Sequence, residues 1–353
     1  MLMQQLDEIL KQFSNAHGVS GYESNVRELL QEYLRPYVDE IKTDKMGNLI
    51  ATRKGSSPSV MIAAHMDEIG LMCKYVDDKG FIRFVKLGGW FDQTLHSQRV
   101  IVHTEKGDIY GVIGAKPPHA MKDEDRKKPV EAEEMFIDIG AKDPADAMAH
   151  GVIPGVTVTM DRQYAHLANN RITGKCLDDR AGIVMMIEAM RLLNEWNVDS
   201  TVYAVGTVQE EVGLKGAKIS AFDLDPDVAL VTDVTVSGDH PGIEKKHSAI
   251  EMSKGPAVTI IDAGGRGLIA TEKVIKWTKE TAKEYNIDIQ LDVAEGGTTD
   301  ATAIHLTKSG IPTSVINIPS RYIHSPVEVI DLEDLKAGAQ LLARSVETAS
   351  KYF

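Results

Sequence analysis

From about residue 170 to the C-terminus, apolar runs of strand length alternate with longer amphipathic runs, and few folds accept that alternation. "DDRAGIVMMIEAMRLLNEW" repeats apolar residues at i, i+3 and i+4, the period of a helix with a buried face. "STVYAVGTV" and "DVALVTD" read as buried strands, "EKVIKWTKETAKEY" as an amphipathic helix, "TSVINIP" as a further strand, and "LEDLKAGAQLLARSVETASKYF" as a closing helix. Alternating β and α units predict an α/β fold: a mainly parallel sheet sandwiched by helices on both faces. Nearer the N-terminus, Leu6, Ile9, Leu10 and Phe13, and then Val26, Leu29, Leu30, Tyr33 and Leu34, recur at helical spacing. "NAHGVSGYES" forms the turn between them, with Ser24 as the expected N-cap. "NLIATRKG" and "SVMIAAHMDEIG" follow as strands.

The α/β texture is interrupted. Between Gly70 and Asp161, runs such as "GFIRFVKLGG", "RVIVHTEKGDIYGVIGA", "EEMFIDIGA" and "GVTVTM" are short and β-rich, and Gly, Pro and charged residues separate them. That is the pattern of a small β barrel or sandwich. The expected division is therefore an α/β domain made of residues 1–69 and 162–353, carrying a β-rich insert at 70–161. A chain of 353 residues with 43% hydrophobic content has ample core for both.

Charge narrows the partners. The formal net charge is -13, with no basic stripe beyond Arg126-Lys127-Lys128, so no nucleic-acid partner is expected. Cys73 and Cys176 lie far apart, outside metal-type spacing, and read as buried thiols of a reducing compartment. "MLMQQLDEILKQF" carries Asp7, Glu8 and Lys11 and lacks a signal-peptide core. No stretch approaches the roughly 18 apolar residues of a membrane helix. A cytoplasmic protein without a membrane partner is expected.

Four strand-like runs lead into candidate metal ligands. "VMIAA" ends at His65, "TVYAVGTV" at Glu210 and Glu211, "VALVTD" at Asp233, and "TSVINIP" runs on to His324 in "SRYIHSPVE". Ligands of open α/β sheets bind outside the carboxyl ends of the strands. A single histidine there is more often a hydrogen-bonded structural residue; four strand ends together are a constellation. Asp67 follows His65 by two, the spacing that shares a face on an extended chain, and a carboxylate there can take the second ring proton of a ligating histidine. In "CLDDRAG", Asp178 and Asp179 precede a long helix, where one aspartate can bridge two ions while the other caps. Neighbours on a strand point to opposite faces, so Glu210 and Glu211 can reach one crevice only through a turn at the strand end. Two imidazoles, at least three carboxylates and no thiolate exceed the needs of one tetrahedral ion. They predict two divalent ions per subunit, zinc or cobalt before manganese. Such a pair is hydrolytic equipment. The glycines of "DAGGRGLIA" lack dinucleotide spacing, and neither a P-loop nor a nucleophile elbow is present.

With these residues in place the chain resembles the tetrahedral (TET) metallo-aminopeptidases of the glutamyl/leucyl type. The matching stretches are "GVSGYE", "DKMGNLIA", "AAHMDEIGLM", "KPPH", "FIDIGA", "LDDRAG", "VGTVQEEVGLKGA", "DVT", "GGTTDATAIHLTKSGIPT" and "SRYIHSPVEV", spanning residues 18 to 329. The resemblance implies that Asp178 bridges the ions, that His65 and Asp233 complete one site, and that Glu211 and His324 complete the other. It implies Glu210 as general base and Asp67 as supporting carboxylate. It further implies a PDZ-like insert, a homododecamer forming a hollow tetrahedron, and hydrolysis of N-terminal residues from short peptides by a metal-activated water. Other di-metal hydrolases (a deacylase, a carboxypeptidase, or a glucanase, as some relatives are labelled) and a non-enzymatic, metal-stabilised assembly protein are the competing expectations. Pocket residues are expected near Val236 and in "DVAEGGTTD", with a broad or apolar side-chain preference.

Overall fold

The structure, a computed structural model, describes residues 2–353. Four of the apolar runs lie side by side as parallel strands, in the order Ser200–Thr207, Ser56–His65, Val228–Val236 and Thr313–Ser320. Val60 and Ile62 pack into one apolar cluster with the helices Leu2–Asn15, Ser24–Leu34, Leu177–Glu195 and Leu332–Thr348. Met61 and Ala63 alternate to the opposite face, where they meet residues of Lys215–Leu224, Glu272–Glu284 and Ala301–Ile304. Both faces of the strand are buried, and this is why the run is continuously apolar rather than alternating.

The edges of the eight-stranded sheet depart from parallel. Leu49–Arg53 runs antiparallel to Ser200–Thr207 and carries Glu40–Thr43 outside it. At the other edge Ala257–Ile261 runs antiparallel to Thr313–Ser320, then pairs in parallel with Gln290–Val293. The sheet is thus mainly parallel, as the alternation predicts. Ser24 is not the N-cap: Glu23 holds that position, and the helix begins at Ser24 without a side-chain cap bond. The longer Glu23 side chain instead accepts the backbone N–H groups of Gly21 and Gln209.

The β-rich stretch closes into an antiparallel barrel of six strands: Gly70–Val76, Ile82–Leu87, Phe136–Asp138, Gly107–Gly114, Arg99–Thr104 and Thr157–Met160, in that order round the barrel. Closure leaves no free edge for pairing with other chains. Leu71, Ile82, Val100, Val102, Ile113, Ile137 and Val158 fill its interior. A small antiparallel sheet, Ala165–His166, Arg171–Gly174 and Glu328–Asp331, sets Gly174 against Glu328. It carries the chain into the helix that begins at Leu177. Among the described residues, no helix is long and apolar enough to cross a membrane.

Candidate metal centre

The parallel strands bring their carboxyl ends to one rim. Thr207 pairs with His65, and Asp233 stands at the same level one strand further on. Past Thr207 the chain turns at Gln209, whose φ of 56° is left-handed. That turn answers the strand-parity problem, because Glu210 and Glu211 leave the strand before alternation can separate them. Both line the same cleft. His324 arrives from the loop after Thr313–Ser320, itself at φ 60°.

Two groups of side chains converge there: His65, Asp178 and Asp233, and Asp178, Glu211 and His324, with the donor atoms of each group within 4.8 Å of one another. Asp178 belongs to both. Its Oδ1 lies 3.0 Å from His65 Nε2, and its Oδ2 lies 3.5 Å from His324 Nε2. His324 Nε2 is also 3.3 Å from Glu211 Oε2.

The tautomers follow from the other ring nitrogens. His65 Nδ1 is 3.0 Å from the backbone oxygen of Asp67, and His324 Nδ1 is 3.1 Å from that of Gly89. A carbonyl only accepts, so both Nδ1 atoms carry the proton. Each Nε2 lone pair then faces carboxylate lone pairs. Such an arrangement holds only with a cation between, either a proton or a metal ion. Donors about 2.0–2.1 Å from a tetrahedral ion stand about 3.3 Å apart, close to the separations of these nitrogens and oxygens. The residues therefore fit a divalent metal.

Charge balance points the same way. Burial first, then neighbouring carboxylates, pushes Asp233 well above the ordinary carboxylate range. Burial likewise pushes Glu210 well above it, against the pull of His65, with Asp300, Asp233 and Glu211 adding to the rise. Glu211 is raised by burial against the pull of His324. Burial would raise Asp178 too, but hydrogen bonds to His324 and His65 hold it low. Burial alone would lower His324; Asp178 and Glu211 outweigh it and push the ring up to about 11. Among the described residues, no lysine or arginine lines the cleft. A concentration of buried negative charge without a side-chain counter-ion is a place for metal cations.

The two aspartates of "CLDDRAG" take different jobs. Asp179 Oδ1 accepts the N–H of Gly182 at 2.9 Å and caps the helix, leaving Asp178 to face the imidazoles. Asp67 stands beside His65. Its backbone oxygen holds the His65 ring, and Oδ1 of its fully buried side chain is 3.6 Å from that ring. The carboxylate also accepts the N–H of Glu210 at 2.9 Å, the N–H of Glu211 at 3.2 Å and the hydroxyl of Ser20 at 2.7 Å.

Sequence reasoning missed Glu328 altogether. Its buried carboxylate accepts the N–H of Asp178 through Oε2 and that of His324 through Oε1, each at 3.0 Å. The only signal was an acid four residues after His324. It also missed Gly89, between the barrel strands Ile82–Leu87 and Arg99–Thr104. A Cβ there would sit 2.5 Å from His324 Nδ1, so only glycine lets the carbonyl approach the ring.

Around these groups lies a cleft of about 400 Å³. Beyond Asp233 its wall continues across successive strands through Asn317, Thr259 and Asp292. Val236, Ala294 and residues 296–299 also line it, as expected of that segment, whereas Glu295 does not.

The profile of the M42 glutamyl aminopeptidases matches residues 47–341. The fold superposes on an aminopeptidase of the archaeon Desulfurococcus kamchatkensis at a TM-score of 0.94 and 44% identity, covering 98% of this chain and 96% of that one. A TET1 peptidase of Pyrococcus horikoshii, described as assembling into a tetrahedron or a large octahedral shell, matches at TM-score 0.88 and 33% identity over 97% and 99% of the two chains. The lysyl aminopeptidase of Pyrococcus furiosus is 38% identical over 343 residues, 96% of each chain. The chain belongs to the M42 glutamyl aminopeptidase family.

Proposed function

We propose that this protein is an aminopeptidase that removes N-terminal residues from short peptides at a centre of two divalent ions, zinc or cobalt. The observation that carries the reading is Asp178, whose two oxygens address two imidazoles whose Nδ1 atoms are already committed to carbonyls. His65, Asp178 and Asp233 would hold one ion; Asp178, Glu211 and His324 would hold the other. When bound, the pair polarises the scissile carbonyl and lowers the pKa of water.

The remaining steps belong to the side chains. Glu210 lines the cleft outside both ligand groups, and burial raises its proton affinity. It takes a proton from the attacking water and passes it to the leaving amine. Asp67 fixes the backbone of Glu210 and Glu211 together. The walls of the cleft fix the peptide's N-terminus against the reacting carbonyl. Glycoside hydrolysis would need a pair of uncommitted carboxylates flanking one bond; Glu210 stands beside the ligand groups, whereas Asp262 and Asp292 line the cleft two and three strands beyond Asp233.

Residues 70–161 act as a separate inserted domain on the 1–69 and 162–353 body, and twelve subunits enclose the sites in a hollow tetrahedron. The assembly named for the P. horikoshii peptidase supports this. Cys73 and Cys176, both buried and unpaired, suit a cytoplasmic location. The deciding experiment is hydrolysis of aminoacyl amides by metal-depleted and metal-reloaded protein, with elemental analysis of each. Equal turnover with and without metal would overturn the reading.

A further inference from the structure

The wall of the cleft beyond Asp233 is acidic, and its hydrogen bonding is incomplete. Asp262 follows the strand Ala257–Ile261, and Asp292 lies on Gln290–Val293. Neither takes part in an ion pair with lysine or arginine among the described residues, and His305 is the imidazole that acts on Asp262. Three local donors are already committed, whereas the buried Thr302 hydroxyl near Asp262 has no partner. The Thr235 hydroxyl donates to Asp292 Oδ2 at 2.7 Å, the Asn317 amide donates to Thr259 Oγ1 at 2.8 Å, and the N–H of Leu268 donates to Asp262 Oδ1.

After that accounting, Asp262 Oδ2 and Asn317 Oδ1 remain without a partner. Both residues line the cleft, and they are only 4% and 3% exposed. Buried acceptors left open in this way carry a desolvation cost that a donor-rich ligand removes. Two carboxylates and an amide oxygen with no lysine or arginine among the described residues of the cleft lining specify a ligand that is cationic and a hydrogen-bond donor. Apolar surface from Val236 and Ala294 lies in the same cleft, suited to an alkyl stem.

We propose that this pocket takes a basic side chain: the peptide's N-terminal residue is lysine or arginine, with its terminal cation held by Asp262, Asp292 and the Asn317 carbonyl oxygen. The inference rests on the aminopeptidase reading and names its substrate class. It differs from the broad or apolar preference expected from the sequence, because Asp262 and Asp292 line the cleft together with Val236.

The test compares lysine and norleucine 4-nitroanilides, which share a stem and differ only in the terminal ammonium. A charge-assisted hydrogen bond is worth about 1.5–3 kcal/mol, or roughly 10–150-fold. The metal-loaded enzyme should therefore favour lysine in kcat/KM by tenfold or more on that scale. In Asp262→Asn and Asp292→Asn the lysine-to-norleucine ratio should fall toward one; being a ratio, it is insensitive to losses in folded or metal-loaded fraction. A wild-type ratio near one, or a ratio unchanged in both variants, overturns the proposal while hydrolysis of norleucine keeps the aminopeptidase reading. Hydrolysis of neither substrate removes that reading. Calorimetric binding of lysine amide against norleucine amide then decides the pocket by itself, with equal affinities counting against it.

Discussion

Replacing Asp67 by asparagine separates two accounts of how the metal centre is held. Asparagine keeps the shape but exchanges one acceptor oxygen for an NH2 donor. If the NH2 lies at the Oδ1 position, it confronts the N–H of Glu210, whose bond is 2.9 Å. At the Oδ2 position it meets the N–H of Glu211, bonded at 3.2 Å, and the Ser20 hydroxyl, which can rotate and accept. The second orientation loses only the longer bond and is the one the variant should adopt. One buried N–H is then left facing a donor, a cost of about 1–3 kcal/mol in stability. Loss of a carboxylate behind metal ligands typically lowers metal affinity or activity about 10–100-fold. Because the unsatisfied group is the backbone of Glu211, the ion shared by Glu211 and His324 should be the one that weakens. Chelator titration followed by elemental analysis, alongside kcat/KM on an aminoacyl amide, reads both effects. If Asp67 served mainly to orient His65, the ion of His65 and Asp233 would leave first. That order of loss, or values within twofold of wild type throughout, would refute the reasoning.

Glu210→Gln should retain both ions and the fold while losing about 10²–10⁴-fold in turnover, as expected for a missing general base; loss of an ion would reverse the roles of Glu210 and Glu211. Asp178→Asn should lower metal content and activity together, and full activity with one ion per subunit by elemental analysis would contradict the bridging role. N-acetylated peptides should be poor substrates beside their free-amine counterparts, and comparable turnover of the two would shift the reading to a deacylase or endopeptidase. Light scattering should find a large homo-oligomer; a fully active monomer at assay concentration would exclude the hollow assembly.

Much of this centre was legible because strand ends are legible. A buried parallel strand is a continuous apolar run, so an acid or imidazole near its end marks a position at the rim, and His65, Glu210, Glu211 and Asp233 were singled out in that way. The helix from Leu177 announces itself by its period, but the period is silent about which of its two leading aspartates caps it. The difference lies in the backbone: Asp178 has φ -76° and ψ 106°, outside the helical region, so its side chain leaves the helix axis while Asp179 turns back to Gly182. The edge strands Glu40–Thr43 and Gln290–Val293 were not read because each has only four residues and one paired side, too little for a period to emerge. Ser24 misled because a serine before an apolar period is a common cap. Here the glutamate beside it reaches the N–H of Gln209 instead.

What stayed hidden, the backbone contacts of Asp67 and the whole of Glu328, shares one physical cause. Neither residue belongs to the two ligand groups; each accepts two backbone N–H groups, from Glu210 and Glu211 in one case and from Asp178 and His324 in the other. Any residue type supplies an amide, so such bonds leave no pattern in the partner sequence, and apart from His324 and Glu328 the partners lie more than a hundred residues apart in the chain. Their effect is on geometry. An acid that holds the chain rather than a side chain fixes where a ligand's Cα stands, which limits how far its oxygens can spread under mutual repulsion. The third restraint comes from outside the α/β sheet, since the carbonyl of Gly89 holds the His324 ring from the barrel side. A Gly89→Ala variant should thus displace His324 without altering any ligand, because the added methyl would stand 2.5 Å from Nδ1. The barrel is then part of the scaffold of the candidate site, and movement of the barrel against the sheet would act on the His324 ring.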